Sequence, residues 1–528
     1  MKFINGTNRN QLPLFASSID DAIAQDNEIR LIDLFVDSLK FPDFGFTFDF
    51  VENGRPAYHP SDLLKLFIYG YLNRIRSSRQ LEKECVRNME VKWLLRGLVP
   101  DHNTISNFRK DNPKAIKKVF RATVELAKNF ELIGGKLLAG DGTKLRAQNS
   151  KKNNFNQKKI DRHLAYIEAK LDEYNTILAQ EDGDVEQKAK AQQKIEEHLF
   201  HKQRYNDLEK QLEESGEVQV STSDPDSRQL IIRNYITEVA YNVQSTVDAK
   251  HCLPINYDVT NENDSKAMGG MLEQAVEVLG HNDFTALFDK GYHTGSEFVK
   301  ADELGVEVLV AVPDISSSSM APDPAYNVSN FIYNSENNTY TCPQGETLSS
   351  NGNWYQKSRN HQGRKKQESV TMQQYKTSAC KTCPVYERCT KTSRNRGRII
   401  ERTAYAHLLE ENKQRMHERY EQYQKRQAMV EHPFGIIKRQ WDYSYIVTKQ
   451  GINRASADVG LIFTAFNLRR IFNILEPNLL KKYLRVLDFN FSVLTSDFKA
   501  FHGILFFNFG KSTFEKDILK SLKFEINV

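Results

Sequence analysis

The sequence predicts a mixed α/β chain: a sheet flanked by helices, with an all-α segment in front and a helical hairpin and a small cysteine-rich insertion within it. Three observations predict this. Helical spacing of apolar residues dominates 55–130. Two apolar, strand-like runs far apart in the chain, Lys136-Leu137-Leu138-Ala139-Gly140 and Phe284-Thr285-Ala286-Leu287-Phe288, each run into an aspartate, Asp141 and Asp289. Residues 314–404 shift from Ser-rich to Tyr/Asn-rich to basic, and hold four of the six cysteines.

Residues 1–54 form an N-terminal lead. Over 55–130 Ser61 is a candidate cap, and Leu63, Leu64, Phe67, Ile68 and Tyr71 follow with helical spacing. Further helices fit Ser78 to Asn88 and Val91 to Leu95. After a turn at Pro100-Asp101-His102-Asn103, a short helix opens at Thr104 and carries Asn107, Arg109 and Lys110. Those residue types touch phosphates and base edges in DNA-reading helices; a plain helical bundle with one polar face accounts for them equally.

The first part of the sheet core spans 131–313. Its first strand ends at Asp141, and carboxylates at the C-terminal ends of buried strands are where active sites collect in open sheets. Strands also fit Val239 to Val247, Leu253 to Val259 and Val306 to Val312, with a helix over Lys266 to Leu279. Within this part, 155–215 reads as a helical hairpin. Ile160, Leu164, Ile167, Leu171, Tyr174 and Leu178 follow an approximate heptad, Ile195, Leu199, Leu208 and Leu212 continue it, and Glu181-Asp182-Gly183-Asp184 is the turn. Such an arm serves DNA, a second subunit or only solvent. Asp224 and Asp226 have no strand to deliver them and read as loop structure. The cysteine-rich insertion occupies 314–404. The core resumes over 405–482, helical through Glu431 to Lys438 and again from Ala457 to Phe472. A Phe- and Leu-rich tail, 483–528, ends the chain.

The net charge of +5 is unevenly spread. Residues 55–130 carry 16 Lys/Arg against 7 Asp/Glu, 356–400 carry 12 against 2, and 1–54 carry 4 against 9. Two separate basic regions suit a polyanion touching the chain at two places. No apolar run is long enough to span a bilayer and no signal peptide is evident, which points to the cytoplasm and away from membranes.

Three places in the sequence then fall into one pattern: Ala139-Gly140-Asp141-Gly142-Thr143-Lys144, Phe288-Asp289-Lys290-Gly291-Tyr292, and Val430-Glu431-His432-Pro433-Phe434-Gly435-Ile436-Ile437-Lys438. In this order they resemble the DDE transposases of bacterial insertion sequences, and the likeness covers most of the chain. Tyr423-x-x-Arg426 also resembles the family, although Arg426 stands five residues before Glu431 where related groups more often have four. The resemblance implies a ribonuclease-H-like catalytic core behind a helical DNA-end-binding region. It implies that Asp141, Asp289 and Glu431 hold two Mg²⁺ ions, with Mn²⁺ as the alternative, and that the enzyme cuts the ends of a mobile element and joins them to target DNA. Lys438, seven residues and about two helical turns after Glu431, would grip phosphates with Arg426 and Tyr423. Partners implied are double-stranded DNA, as element ends and target, and a second copy of the chain when assembled on DNA; the setting implied is a bacterial nucleoid. A nuclease of the same fold that never joins, and a DNA-binding regulator or inactive remnant, are the rival readings.

Cys342, Cys380, Cys383 and Cys389 form a second constellation. A Cys-x-x-Cys with two further cysteines has the ligand count of a closed tetrahedral Zn²⁺ site; reduced, unligated thiols are the alternative. Zinc would help fold a segment with little apolar content of its own. The purified protein is therefore expected to contain about one zinc per chain by elemental analysis, with chelation loosening 340–400; a zinc content of zero rules this site out.

Overall fold

The computed structural model describes residues 18–46, 56–179, 185–217, 219–233, 236–314, 320–357 and 370–485. The turn expected at Glu181 to Asp184, the start of the lead and nearly all of the tail lie outside the described residues.

The N-terminal region is helical: α1 (Ile29–Asp37), α2 (Pro60–Leu72), α3 (Ser78–Arg87), α4 (Met89–Leu94), α5 (His102–Asp111) and α6 (Pro113–Asn129). Local chemistry sets the starts. His59, not Ser61, caps α2: its Nδ1 accepts from the Ser61 amide at 3.2 Å, and Pro60 takes the first helical position, where a missing N–H costs nothing. Asn88 caps α4. Asp101 accepts from the amides of Asn103 and Thr104 at 2.9 and 3.1 Å, so α5 opens two residues before the expected Thr104.

The main sheet contains β1 (Leu137–Arg146), β2 (Arg228–Arg233), β3 (Ile236–Asp248), β4 (Pro254–Thr260), β5 (Thr285–Phe288) and β6 (Glu307–Val310). Its order is β2-β3-β1-β5-β6, with β4 also on β3. The β2, β3 and β4 pairings are antiparallel; β1–β5 and β5–β6 are parallel. The first strand does not stop at Asp141 as its apolar content suggested. β1 runs on to Arg146 because β3 pairs with it along its whole length, while β5 pairs only as far as Ala139. Asp141 thus stands where one neighbour ends and the other continues.

Helices cover both faces. α7 (Met268–Leu279) and α8 (Gly295–Glu303) pack with Ala286, Phe288, Val308 and Val310 in the large core. On the other face Met429 and Val430 of α10 (Tyr420–Gly435) pack on Ala139, Leu287 and Leu309. The preceding helix, α9 (Ala406–Glu418), protects the sheet edge. Its buried Asn412 accepts from the Val310 amide and donates to the Val310 carbonyl, both at 2.9 Å. The helix expected to run unbroken to Lys438 is divided at Arg419 and ends in a π turn, Ile436–Gln440.

The hairpin is two helices, Gln157–Ala179 and Val185–Ser215, with a small core at its base of Phe155, Ile160, Leu208, Leu212 and Val220. Farther out the heptad fails: Leu199 is 51% and Phe200 72% exposed. Residues 332–403 hold a second, antiparallel six-stranded sheet around Phe331, Tyr340, Leu348, Tyr375 and Ile400. These strands are short and polar and carry no clear apolar alternation in the sequence. Among the described residues no helix is long and apolar enough to cross a membrane.

One helix ties these parts together. α11 (Ile452–Ile474) is buried along nearly its whole length and packs on α6, α2 and β4. Its Asp458, fully buried, faces Arg76 at 3.4 Å and Arg109 at 3.7 Å and accepts from the Val447 amide at 2.8 Å and from the Tyr71 hydroxyl. Removing one member strands the others without solvent. Asp458→Ala is expected to lower unfolding free energy by about 3–5 kcal/mol in urea titration; a loss under about 1 kcal/mol would mean that the two arginines find other partners.

Candidate active site

The parallel register of β1 and β5 brings the two motif aspartates together. Ala139 pairs with Leu287, and Asp141 and Asp289 each lie two residues farther on. Side chains alternate along a strand, so both acids leave the face that Ala139 and Leu287 present to α10. Glycines flank Asp141 because the backbone is crowded on both sides. A Cβ on Gly140 would stand 2.0 Å from the Phe288 ring, and one on Gly142 would stand 2.4 Å from Asp264 Oδ1.

Asp141, Asp289, Tyr423, Arg426 and Glu431 line one pocket of about 600 Å³, together with Tyr420, Gln424, Gln427 and Val430. Arg426 lies between the aspartates, its Nη2 3.7 Å from Asp141 Oδ1 and 3.5 Å from Asp289 Oδ2. Burial pushes the Asp141 carboxyl up to about 6; Arg426 opposes that shift, and Asp289 adds to it. Asp141 also accepts from the Gly142 amide at 2.9 Å, and Asp289 from the Gly291 amide at 2.8 Å, capping the turn Lys290–Tyr292. Glu431 is exposed and accepts from Gln427 at 2.9 Å.

Lys438 lies outside this pocket. Its Nζ reaches β1, donating to Thr143 Oγ1 at 3.1 Å and to the Lys144 carbonyl at 3.4 Å. Burial holds its ammonium below the usual lysine range, Lys144 and Arg439 push the same way, and Asp141 opposes them. The π turn carries Lys438, so its phase relative to Glu431 is not that of two plain α-helical turns. Asn107, Arg109 and Lys110 also lie elsewhere, on α5. Asn107 is exposed and accepts from Lys110 at 3.2 Å; Arg109 is buried and donates to the Tyr71 hydroxyl at 2.9 Å and the Arg76 carbonyl at 3.2 Å.

A fourth acid, Asp264, which no sequence motif singles out, stands behind the two aspartates. It accepts from Lys144, Asn242 and Gln244, each at 2.8 Å, while Gln244 accepts from the Tyr292 hydroxyl. Burial alone would raise the Asp264 carboxyl, but Lys144 and the two amides outweigh it and hold it below the usual carboxylate range. This network joins the Lys of the first motif to the Tyr of the second. The signal for it is in β3, where Asn242 and Gln244 alternate with the apolar Tyr241 and Val243 and are buried polar residues that need partners. Asp224 and Asp226 have structural partners: Asp224 accepts from Tyr241 and the Gly451 amide, and Asp226 from the Ile452 amide at the start of α11.

The four cysteines Cys342, Cys380, Cys383 and Cys389 are free thiols around one small cavity of about 40 Å³. Among the described residues no group of three or more His, Cys, Asp or Glu side chains is arranged closely enough to hold a metal ion.

Two family models match the chain. The one described as "Transposase domain (DUF772)" matches residues 17–111, and "Transposase DDE domain" matches 341–472. The first covers α1 to α5; the second covers the cysteines, Arg426, Glu431 and Lys438. Asp141 and Asp289 lie between the matched segments. No curated protein and no solved structure matches the chain.

The fit of Gly140 against Phe288 can be tested apart from any activity. Gly140→Ala is expected to cost about 1–3 kcal/mol of stability, and adding Phe288→Leu to recover part of it. Equal losses from the single and double variants in urea unfolding would show that the ring is not the obstacle.

Proposed function

From the premise that this chain belongs to the DDE-type transposases of insertion elements, we propose that it cuts and rejoins DNA at the pocket of Asp141, Asp289 and Glu431. The observation that carries the reading is the two aspartates, each two residues past the Ala139–Leu287 pair of neighbouring parallel strands, with Glu431 lining the same pocket. The sheet order supports a ribonuclease-H-like core: three antiparallel strands, β4, β3 and β1, followed by two parallel ones, β5 and β6.

The donor set suits hard divalent cations such as Mg²⁺: three carboxylates, two of them close enough to share one guanidinium. Bound there, such ions activate the attacking oxygen and stabilise the leaving one. Asp141 and Asp289 are the rigid part of the site, each fixed by a backbone amide. Glu431 is the adaptable part, because Gln427 is its one partner among the described residues. Arg426, the cation now between the aspartates, is placed to grip a phosphate oxygen when the carboxylates are otherwise neutralised. Tyr423 walls the pocket beside it. Lys438 fastens the π turn to β1 just beyond Asp141. The four cysteines supply the soft donors of a structural zinc site and lie around one small cavity beside the second sheet, and zinc binding there would require their thiols to draw closer together.

The test is strand cleavage of a duplex carrying an element end, with Mg²⁺ present. Asp289→Ala is expected to lower the cleavage rate by about 10³-fold while end binding persists. Cleavage at the original rate would remove the enzyme reading. A pre-nicked end offered to target DNA separates a joining enzyme from a nuclease.

A further inference from the structure

A second and larger cavity, about 840 Å³, lies away from the acids. One wall is the loop after α2, the start of α3 and part of α5; the other is the segment 440–454, which begins at the last residue of the π turn. The cavity is strongly basic. Arg74, Arg76, Arg79, Arg109, Lys449 and Arg454 line it, with Lys110 beside them, against one acid, Asp442.

The charge is not neutralised from below. Arg76 and Arg109 are each 5% exposed and share the single carboxylate of Asp458, so one positive charge remains in a buried network. Arg109 Nε is buried with no partner. Arg74, Arg79, Lys449 and Arg454 have no carboxylate partner among the described residues. The start of α3 faces the same space, and its cap residue Ser77 makes no side-chain cap bond. Uncompensated cations at this density call for an anion.

The chemistry selects an extended polyanion rather than a small one. The cations come from two stretches of chain, 74–110 and 449–454, and are spread along both walls. The aromatic side chains are already in use: Arg76 lies 4.2 Å from the Tyr443 ring centre and 4.6 Å from that of Tyr445, and Trp441 packs edge-on against Tyr443. Single-strand sites depend on free ring faces for base stacking; this cavity offers cations for a phosphate backbone.

Its distance from the acids is fixed by β1. Arg146, at the end of that strand, bridges to Tyr445 on the cavity wall, and Ile446 donates to the Arg146 carbonyl at 2.7 Å. From Asp141 to Arg146 is five residues of strand, roughly 17 Å. That is about half of the ~34 Å helical turn of duplex DNA, or roughly five base pairs. We infer that this cavity seats the phosphate backbone of the same duplex that is cut at the acid pocket, within one helical turn of the scissile bond. The inference rests on the proposed transposase chemistry for the position of the cut, but not for the binding itself.

The test uses the full chain in EDTA, so that cleavage plays no part, with a random-sequence duplex read by fluorescence anisotropy. Arg79→Ala and Arg454→Ala, neither of which pairs with the Asp458 carboxylate among the described residues, are each expected to lower the slope of log affinity against log salt by about one, and together to weaken binding about tenfold or more at low salt. Their melting temperatures should match that of the parent chain. Phosphate-ethylation interference on a duplex carrying an element end should mark positions within about ten base pairs of the cut, and the double variant should lose those marks. Unchanged affinity and slope in a folded double variant would overturn the inference, as would single strands competing as well as duplex. Marks that lie only beyond one turn would also overturn it. Loss of cleavage by Asp289→Ala bears on none of these readings, so the two proposals fail separately.

Discussion

Placing two carboxylates side by side is the constraint around which this molecule is arranged. The parallel pairing of β1 with β5 puts Asp141 and Asp289 at one level of the sheet, and like charges so placed resist being ionised together. The raised carboxyl of Asp141 records that tension, with burial as its main source. Arg426 relieves it from α10, and the glycines around Asp141 admit the crowding that the strand pairing imposes. Behind the pair, Asp264 would add a third negative charge, were it not bound by Lys144, Asn242 and Gln244. The site is thus a negative centre balanced by cations that come from β1 itself and from a helix far along the chain.

The second organising element is the buried helix α11. It reaches the N-terminal helices and the sheet at once, so the region matched by one transposase model is packed directly against the end of the region matched by the other. Asp458 makes that junction polar as well as apolar. Its partners Arg76 and Arg109 come from the N-terminal side, and Val447 from the segment just after the π turn. A basic cavity opens at this junction, and its position is fixed by the helix packing.

What could be read in the sequence follows from range. The two strand-terminal aspartates were legible because short apolar runs of that kind are local signals, and so were most helices of 55–130. The extension of β1 to Arg146 was not, because Gly142, Thr143 and Lys144 carry no apolar pattern and the strand exists there only through pairing with β3. Asp264 looked like any polar loop residue; only folding brings Asn242 and Gln244 beneath it. Arg109 reads as a surface residue by type, yet Tyr71 and Asp458 draw it inside. The second sheet escaped because its strands are three to seven residues long and rich in Tyr, Thr and Gln. The three motifs were enough to expect one pocket; the pairing register and the π turn, which decide how the side chains meet in it, are long-range or phase effects that a linear pattern does not encode.

Asn412 has a further consequence. A side-chain amide has the same donor and acceptor as a peptide group, and here it occupies the outward-facing N–H and C=O of Val310 on the last strand of the parallel side. A neighbouring molecule therefore cannot add a strand at that residue and lengthen the sheet into an open-ended ribbon. On this side of the sheet, contact with another molecule falls to the surface of α9 and not to the strand itself.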